Sequence, residues 1–269
     1  TMQTKLKTLL TPKMLIILIL GFSSGLPLGL TAGTLQAWYA IDGVDFQTIG
    51  FLALVGQPYV YKFMWAPLMD QIVLPWGRRK SWILLCQAAL IVMVGVMSTM
   101  TPKDMPLALS LAALLLAFFS ASQDIAIDAY RTDILEPENR GNGAAMAVTG
   151  YRISMLVSGG LALVLADQIG FQLSYQLMGA CIALCMLATL FAKEPKDATK
   201  PAVNMLAACV DPIKEFLTRN KALSLLALVV LYKIGDAYAG SLTISFLLRG
   251  VGFSLTEVGF LNKTIGLIA

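Results

Sequence analysis

Apolar runs of membrane-spanning length alternate with short polar connections along the chain. They cover residues 14–40, 48–69, 81–100, 106–130, 144–166, 173–192 and 222–248, and another starts at residue 256. A helix needs about 20 apolar residues to cross a bilayer core, so the pattern predicts seven complete spans and the start of an eighth. The predicted fold class is all-α, a polytopic transmembrane helical bundle, and its second half is expected to be truncated after the opening helices. The first run is longer than the apolar region of a signal peptide and is read as a retained span.

Composition supports this class. With 57% hydrophobic and 13% charged residues in 269, the chain is too apolar for an ordinary soluble domain. The net charge of +4 does not indicate nucleic acid, because the basic residues cluster at the ends of apolar runs. Of 20 Lys and Arg, 14 lie before span one or after spans two, four and six, whereas the opposite connections hold only Lys103 and Arg249. This asymmetry predicts a cytoplasmic amino terminus and a cytoplasmic connection over 193–221. That connection carries Pro195, Pro201, Pro212 and many charges. It divides the chain into a six-helix bundle (1–192), a linker (193–221) and the first two helices of a second bundle (222–269). Asp211 followed by Pro212 suggests a short surface helix starting there. A faint repeat links Gly43, Val44, Phe46, Gly50 and Phe51 to Gly250, Val251, Phe253, Gly259 and Phe260, as in a transporter built of two parallel halves.

The polar positions inside the spans carry the candidate chemistry. Ser120, Asp124, Asp128 and Arg131 form one stripe on the fourth span. A charge at the centre of a spanning helix costs roughly 2.5 to 3.5 kcal/mol on insertion scales, so this stripe is expected to face a bundle interior or a wet cavity. Asp128 and Arg131, near the helix end, read as a mutual pair, and Asp124 lies deeper. The interior cations are Lys62, Arg152, Lys233 and Lys263. Lys62, Asp124 and Arg152 each fall roughly 10 to 14 Å inward from the cytoplasmic boundary. Lys233 and Asp236, three apart on the seventh span, can neutralise each other. Gly21, Gly25, Gly29 and Gly33 predict close packing along nearly all of the first span, with a bend at Pro27. Ala147, Gly150, Ser154 and Ser158 form a similar stripe on the fifth span, with Arg152 on its far side. The chain has no His, and its four cysteines (Cys86, Cys181, Cys185, Cys209) indicate neither a metal site nor a disulfide framework.

Several strings occur in an order and spacing that is specific as a set: GFSSGLPL from Gly21, TLQAW from Thr34, KFMWAPLMD from Lys62, GRRKSW from Gly77, SASQDIAIDAY from Ser120, GYRISMLVSGGLAL from Gly150 and LYKIGDAYA from Leu231. Together they resemble the AmpG-type muropeptide permeases of the major facilitator superfamily over essentially the whole chain. The resemblance implies a bacterial inner-membrane carrier, expected as a monomer. It would import N-acetylglucosaminyl-anhydromuramyl peptides for cell-wall recycling and β-lactamase induction signalling, with the proton gradient in place of a cofactor. Asp70, Gly77, Arg78, Arg79 and Lys80 are similar to the superfamily's gating loop motif, although Gly77 follows Asp70 at a longer interval than the motif has. The substrate-binding expectation comprises Lys62, Arg152, Lys233, Gln123, Tyr61 and Tyr151. The proton-coupling expectation comprises Asp124, Asp128 and Asp236. A related acetyl-coenzyme A carrier is the nearest alternative. A membrane-embedded sugar-lipid transferase would need catalytic groups on loops or a metal site, which the short loops do not show.

Overall fold

The first helix begins where local chemistry favours it: the Thr11 hydroxyl accepts the Met14 N–H at 3.4 Å, and Pro12 takes the first helical position. The computed structural model describes residues 11–195 and 205–245, without a strand among them. By contacts the chain forms two units, Thr1–Ala202 and Val203–Ala269. Among the described residues five helices are long and apolar enough to cross a membrane. They are α1 (Pro12–Ile41), α3 (Lys80–Met97), α4 (Pro106–Ile134), α5 (Pro137–Ile169) and α6 (Phe171–Leu190), all in the first unit.

The second apolar run departs from expectation. Instead of one helix over 48–69, residues 46–71 form α2 in pieces: Phe46–Phe51, a 3₁₀ turn Leu52–Gly56, Gln57–Tyr61, a second 3₁₀ turn Lys62–Met64, and Ala66–Gln71. Pro58 and Pro67 explain the breaks, since each lacks an N–H to donate and each opens a new piece at its first turn.

The seam between α1 and α5 is built from small residues. A Cβ at Gly21 would land on the Ala147 carbonyl, one at Gly25 on the Ser154 hydroxyl, and one at Gly29 on the Ser158 side chain. In return, a Cβ at Gly150 would strike the Leu18 carbonyl. Such contacts bring two backbones together where larger side chains would hold them apart. The stripe ends sooner than its spacing suggests, because Gly33 faces open space. The cause is a π turn at Leu30–Thr34, beginning three residues after Pro27; the extra residue in that turn rotates the following positions off the seam. A matching π turn interrupts α5 at Val157–Leu161. Carbonyls in both turns find side-chain donors: Tyr175 donates to Leu30 O at 2.8 Å and Thr34 donates to Ser158 O at 2.6 Å. Around these turns Leu30, Leu90, Leu116 and Ile182 are fully buried, and Trp38 stacks on Phe171 with ring centroids 5.3 Å apart.

In the second unit, α7 (Met205–Thr218) is followed by α8 (Ala222–Ser245). The helix expected to start at Asp211 already begins at Met205, so Asp211 and Pro212 lie inside it; the run Met205–Leu206–Ala207–Ala208 favours helix and carries the start upstream. Lys5, Lys7, Lys196, Lys200, Arg249, Lys263, the second copy of the repeat and the eighth run lie outside the described residues, as do the side chains of Asp236 and Cys209.

Candidate functional site

Asp124 is the centre of the site. Its carboxylate is mostly enclosed, 16% exposed, and two elements hold it. Lys62 Nζ from α2 stands 3.7 Å from Oδ2, and the Ser24 hydroxyl of α1 donates to Oδ1 at 2.5 Å. Opposite charge and a hydrogen bond both favour an ionised acid, whereas enclosure disfavours it. Lys62 is 36% exposed, so one side of the pair is open to a ligand. The break in α2 serves this arrangement, because Lys62 opens the 3₁₀ turn that follows Gln57–Tyr61. Tyr59 and Tyr151 stand within reach of the acid's charge.

Other expected residues go elsewhere. Gln123 is fully buried inside the bundle, where its Nε2 and that of Gln87 both donate to Ser23 Oγ, at 2.9 and 3.1 Å. Through this nitrogen it braces α1, α3 and α4. Tyr61 is 49% exposed, whereas Tyr59 lies within reach of the Asp124 charge. Tyr59 precedes Lys62 by three residues and so shares its helix face, which is the signal that could have selected it. Asp128 pairs with Arg131 at 3.2 Å near the end of α4. Arg152 is exposed on α5, off the glycine seam. Lys233 lies on α8 in the second unit. Among the described residues no cluster of three His, Cys, Asp or Glu is placed to hold a metal.

A second cluster gathers at the end of α4 nearer residue 134. The Arg79 guanidinium bonds Asp70 and also donates to Asp133 at 2.8 Å, and Arg78 Nε donates to the Asp70 carbonyl at 3.1 Å. Burial alone would lower the Arg79 pKa, but Asp133 and Asp70 hold it above its usual value. Glu194, just past α6, accepts the backbone N–H groups of Arg79 and Lys80 at the start of α3, at 2.8 and 2.9 Å. An acid at a helix amino terminus is stabilised by the exposed N–H groups and the helix dipole. Gly77 has φ +116°, and a Cβ there would collide with the Glu194 carboxylate. Lys80 closes the contact from the other side, its Nζ donating to Leu190 O at 2.6 Å. Asp133 and Glu194 were not singled out from the sequence. Each lies just past an apolar run and meets the basic triplet Arg78–Lys80.

The model of the Major Facilitator Superfamily matches residues 14–269. The chain belongs to that superfamily. Its match to the Anhydromuropeptide permease of Escherichia coli (strain K12) is 52% identical over 260 residues, 96% of this chain and 53% of that protein. A Haemophilus influenzae protein is 37% identical over 96% of the chain, and a Rickettsia felis protein whose name carries AmpG 4 is 33% identical over 94%. The chain spans about half the length of the Escherichia coli relative and under two thirds of the other two, 62% and 64%. As a superfamily member with five spanning-length helices, it is a multi-pass membrane protein.

Proposed function

We propose that this chain works in a proton-coupled permease of the bacterial inner membrane that carries anhydromuropeptides from periplasm to cytoplasm, with the amino terminus in the cytoplasm. The observation that carries the reading is the partly open Lys62–Asp124 pair inside a membrane bundle, in a chain 52% identical to a protein named Anhydromuropeptide permease. In this reading Lys62 and Arg152 receive carboxylates of the muramyl or peptide part of the substrate. Asp124 carries the proton. When a substrate carboxylate occupies Lys62, Asp124 loses its cation and takes up a proton in exchange, so binding and protonation are coupled through one side chain. Asp70 with Arg78, Arg79 and Lys80 latches the gating loop. No catalytic step on the substrate is needed.

The deciding experiment is uptake of a labelled anhydromuropeptide into vesicles carrying the protein, with and without an imposed proton gradient. Saturable uptake that rises with the gradient is expected. Saturable uptake indifferent to the gradient would remove the proton from the mechanism, and absence of both uptake and binding would reject the substrate.

A further inference from the structure

A cavity of about 490 Å³ lies outside the site described above, between the start of α1, the end of α4 and the residues just past α6. This volume falls in the range of small-molecule pockets, about 300 to 1,000 Å³. Its polar lining includes Lys13, Lys193, Glu136 and Asn139, and its apolar lining includes Met14, Ile16, Ile134 and Phe191. We propose that this cavity binds the headgroup of an anionic phospholipid from the leaflet that meets this end of the bundle.

Three observations carry the assignment. Charge comes first: two lysines brought together from opposite ends of the first unit outweigh one glutamate, and basic pockets between spanning helices hold anionic lipid headgroups. Thr11 already caps the first turn of α1, so the anion's partners are the lysines rather than the helix end. Position is the second observation. The cavity sits where apolar helices give way to polar connections, and Phe191 at its edge is 83% exposed. The third is the mixed lining. A water-soluble phosphate ester would leave the partly exposed Ile16 and Ile134 uncovered, whereas a phospholipid covers them with its glycerol and upper acyl carbons while its phosphate meets Lys13 and Lys193.

The site also adjoins the loop cluster. Tyr130 lines the cavity and its hydroxyl donates to the Lys193 carbonyl at 2.9 Å; the next residue, Glu194, holds the Arg79 and Lys80 N–H groups. A lipid held at Lys193 therefore bears on the backbone that carries the clamp. This gives the lipid a route to influence gating, and the binding claim does not depend on which solute is carried.

The test uses the purified chain in a nonionic detergent, with native mass spectrometry and thermal melting in the presence of phosphatidylglycerol, phosphatidylcholine or glycerol 3-phosphate. Retention of phosphatidylglycerol with a raised melting temperature is expected, and Lys13→Gln combined with Lys193→Gln should weaken binding about thirty-fold, as expected for two lysines near a lipid surface. Should that double variant fold poorly, Asn139→Trp, which fills the cavity and leaves both lysines, should also abolish retention. Equal retention of phosphatidylcholine, unchanged binding in both variants, or displacement of the lipid by an equal concentration of glycerol 3-phosphate would each overturn the proposal; the last would make the ligand a soluble anion.

Discussion

Glu194 accepts the backbone N–H of Arg79 at 2.8 Å across 115 positions of chain, and thereby ties the segment after α6 to the loop before α3. Its second oxygen takes the Lys80 N–H at 2.9 Å. Replacing such a capping acceptor costs about 0.5 to 2 kcal/mol, so Glu194→Ala should lower the melting temperature. Glu194→Gln keeps one acceptor oxygen and should lose less. Gly77→Ala should match or exceed the loss in Glu194→Ala, since it adds a collision with that carboxylate to a strained backbone. Equal melting temperatures for all three variants and the parent would show that the clamp does not contribute to stability.

The glycine seam makes a sharper comparison within one residue type. Gly150→Ala would push a methyl into the Leu18 backbone, and overpacking of this kind costs about 1 to 3 kcal/mol. Gly33→Ala meets open space and should stay within about 0.5 kcal/mol of the parent. Thermal melting of the two variants checks this. Similar losses at both positions would mean that α1 and α5 do not pack as described.

The outcome at Gly33 shows where the sequence was legible. Apolar run length located α1, α3, α4, α5 and α6, because the bilayer imposes one length on all of them. The same rule located α2 but not the breaks inside it. Run length does not register that Pro58 and Pro67 divide the backbone into short pieces. The acid itself was legible, as a charge in an apolar helix needs a partner. Its partner Ser24 was not, because a small hydroxyl interrupts an apolar run far less than a charge does. Gln123 misled for the opposite reason. Its polarity resembled a binding group, yet its amide nitrogen donates to Ser23 inside the bundle.

Orientation is tested by labelling. The Lys and Arg asymmetry predicts that residues 193–221 face the cytoplasm and residues 101–105 the periplasm. In a variant lacking Cys86, Cys181, Cys185 and Cys209, single cysteines in these connections should react with an impermeant thiol reagent from the matching side only. Labelling of the 193–221 connection from outside intact spheroplasts would reverse the assignment.

The coupling role predicts opposite behaviour for two acids on one helix. Asp124→Asn resembles the protonated state, so it should retain binding or exchange while losing accumulation against a gradient by at least tenfold. Asp128, 61% exposed and paired with Arg131, should tolerate the same change with little effect. Full proton-driven accumulation by Asp124→Asn would transfer the proton to another group.

The role of Lys62 separates into charge on the substrate and charge on Asp124. If Lys62 holds a substrate carboxylate, Lys62→Gln should weaken binding of an acidic muropeptide at least tenfold and barely affect an analogue with its carboxylates amidated. If it only balances Asp124, the change leaves an enclosed carboxylate without its cation, which is destabilising, although the 36% exposure of Lys62 keeps the cost below that of a fully buried pair. In that case the double variant Lys62→Gln with Asp124→Asn should recover the lost stability, and the two ligands should suffer equally. Affinity and melting temperature measured together distinguish the two roles. The same pair of measurements on Arg152→Gln shows whether a second cation shares the substrate. Equal losses for acidic and amidated ligands at both positions, with stability restored in the doubles, would leave Lys62 and Arg152 as scaffold and move the binding site to residues of the second unit such as Lys233.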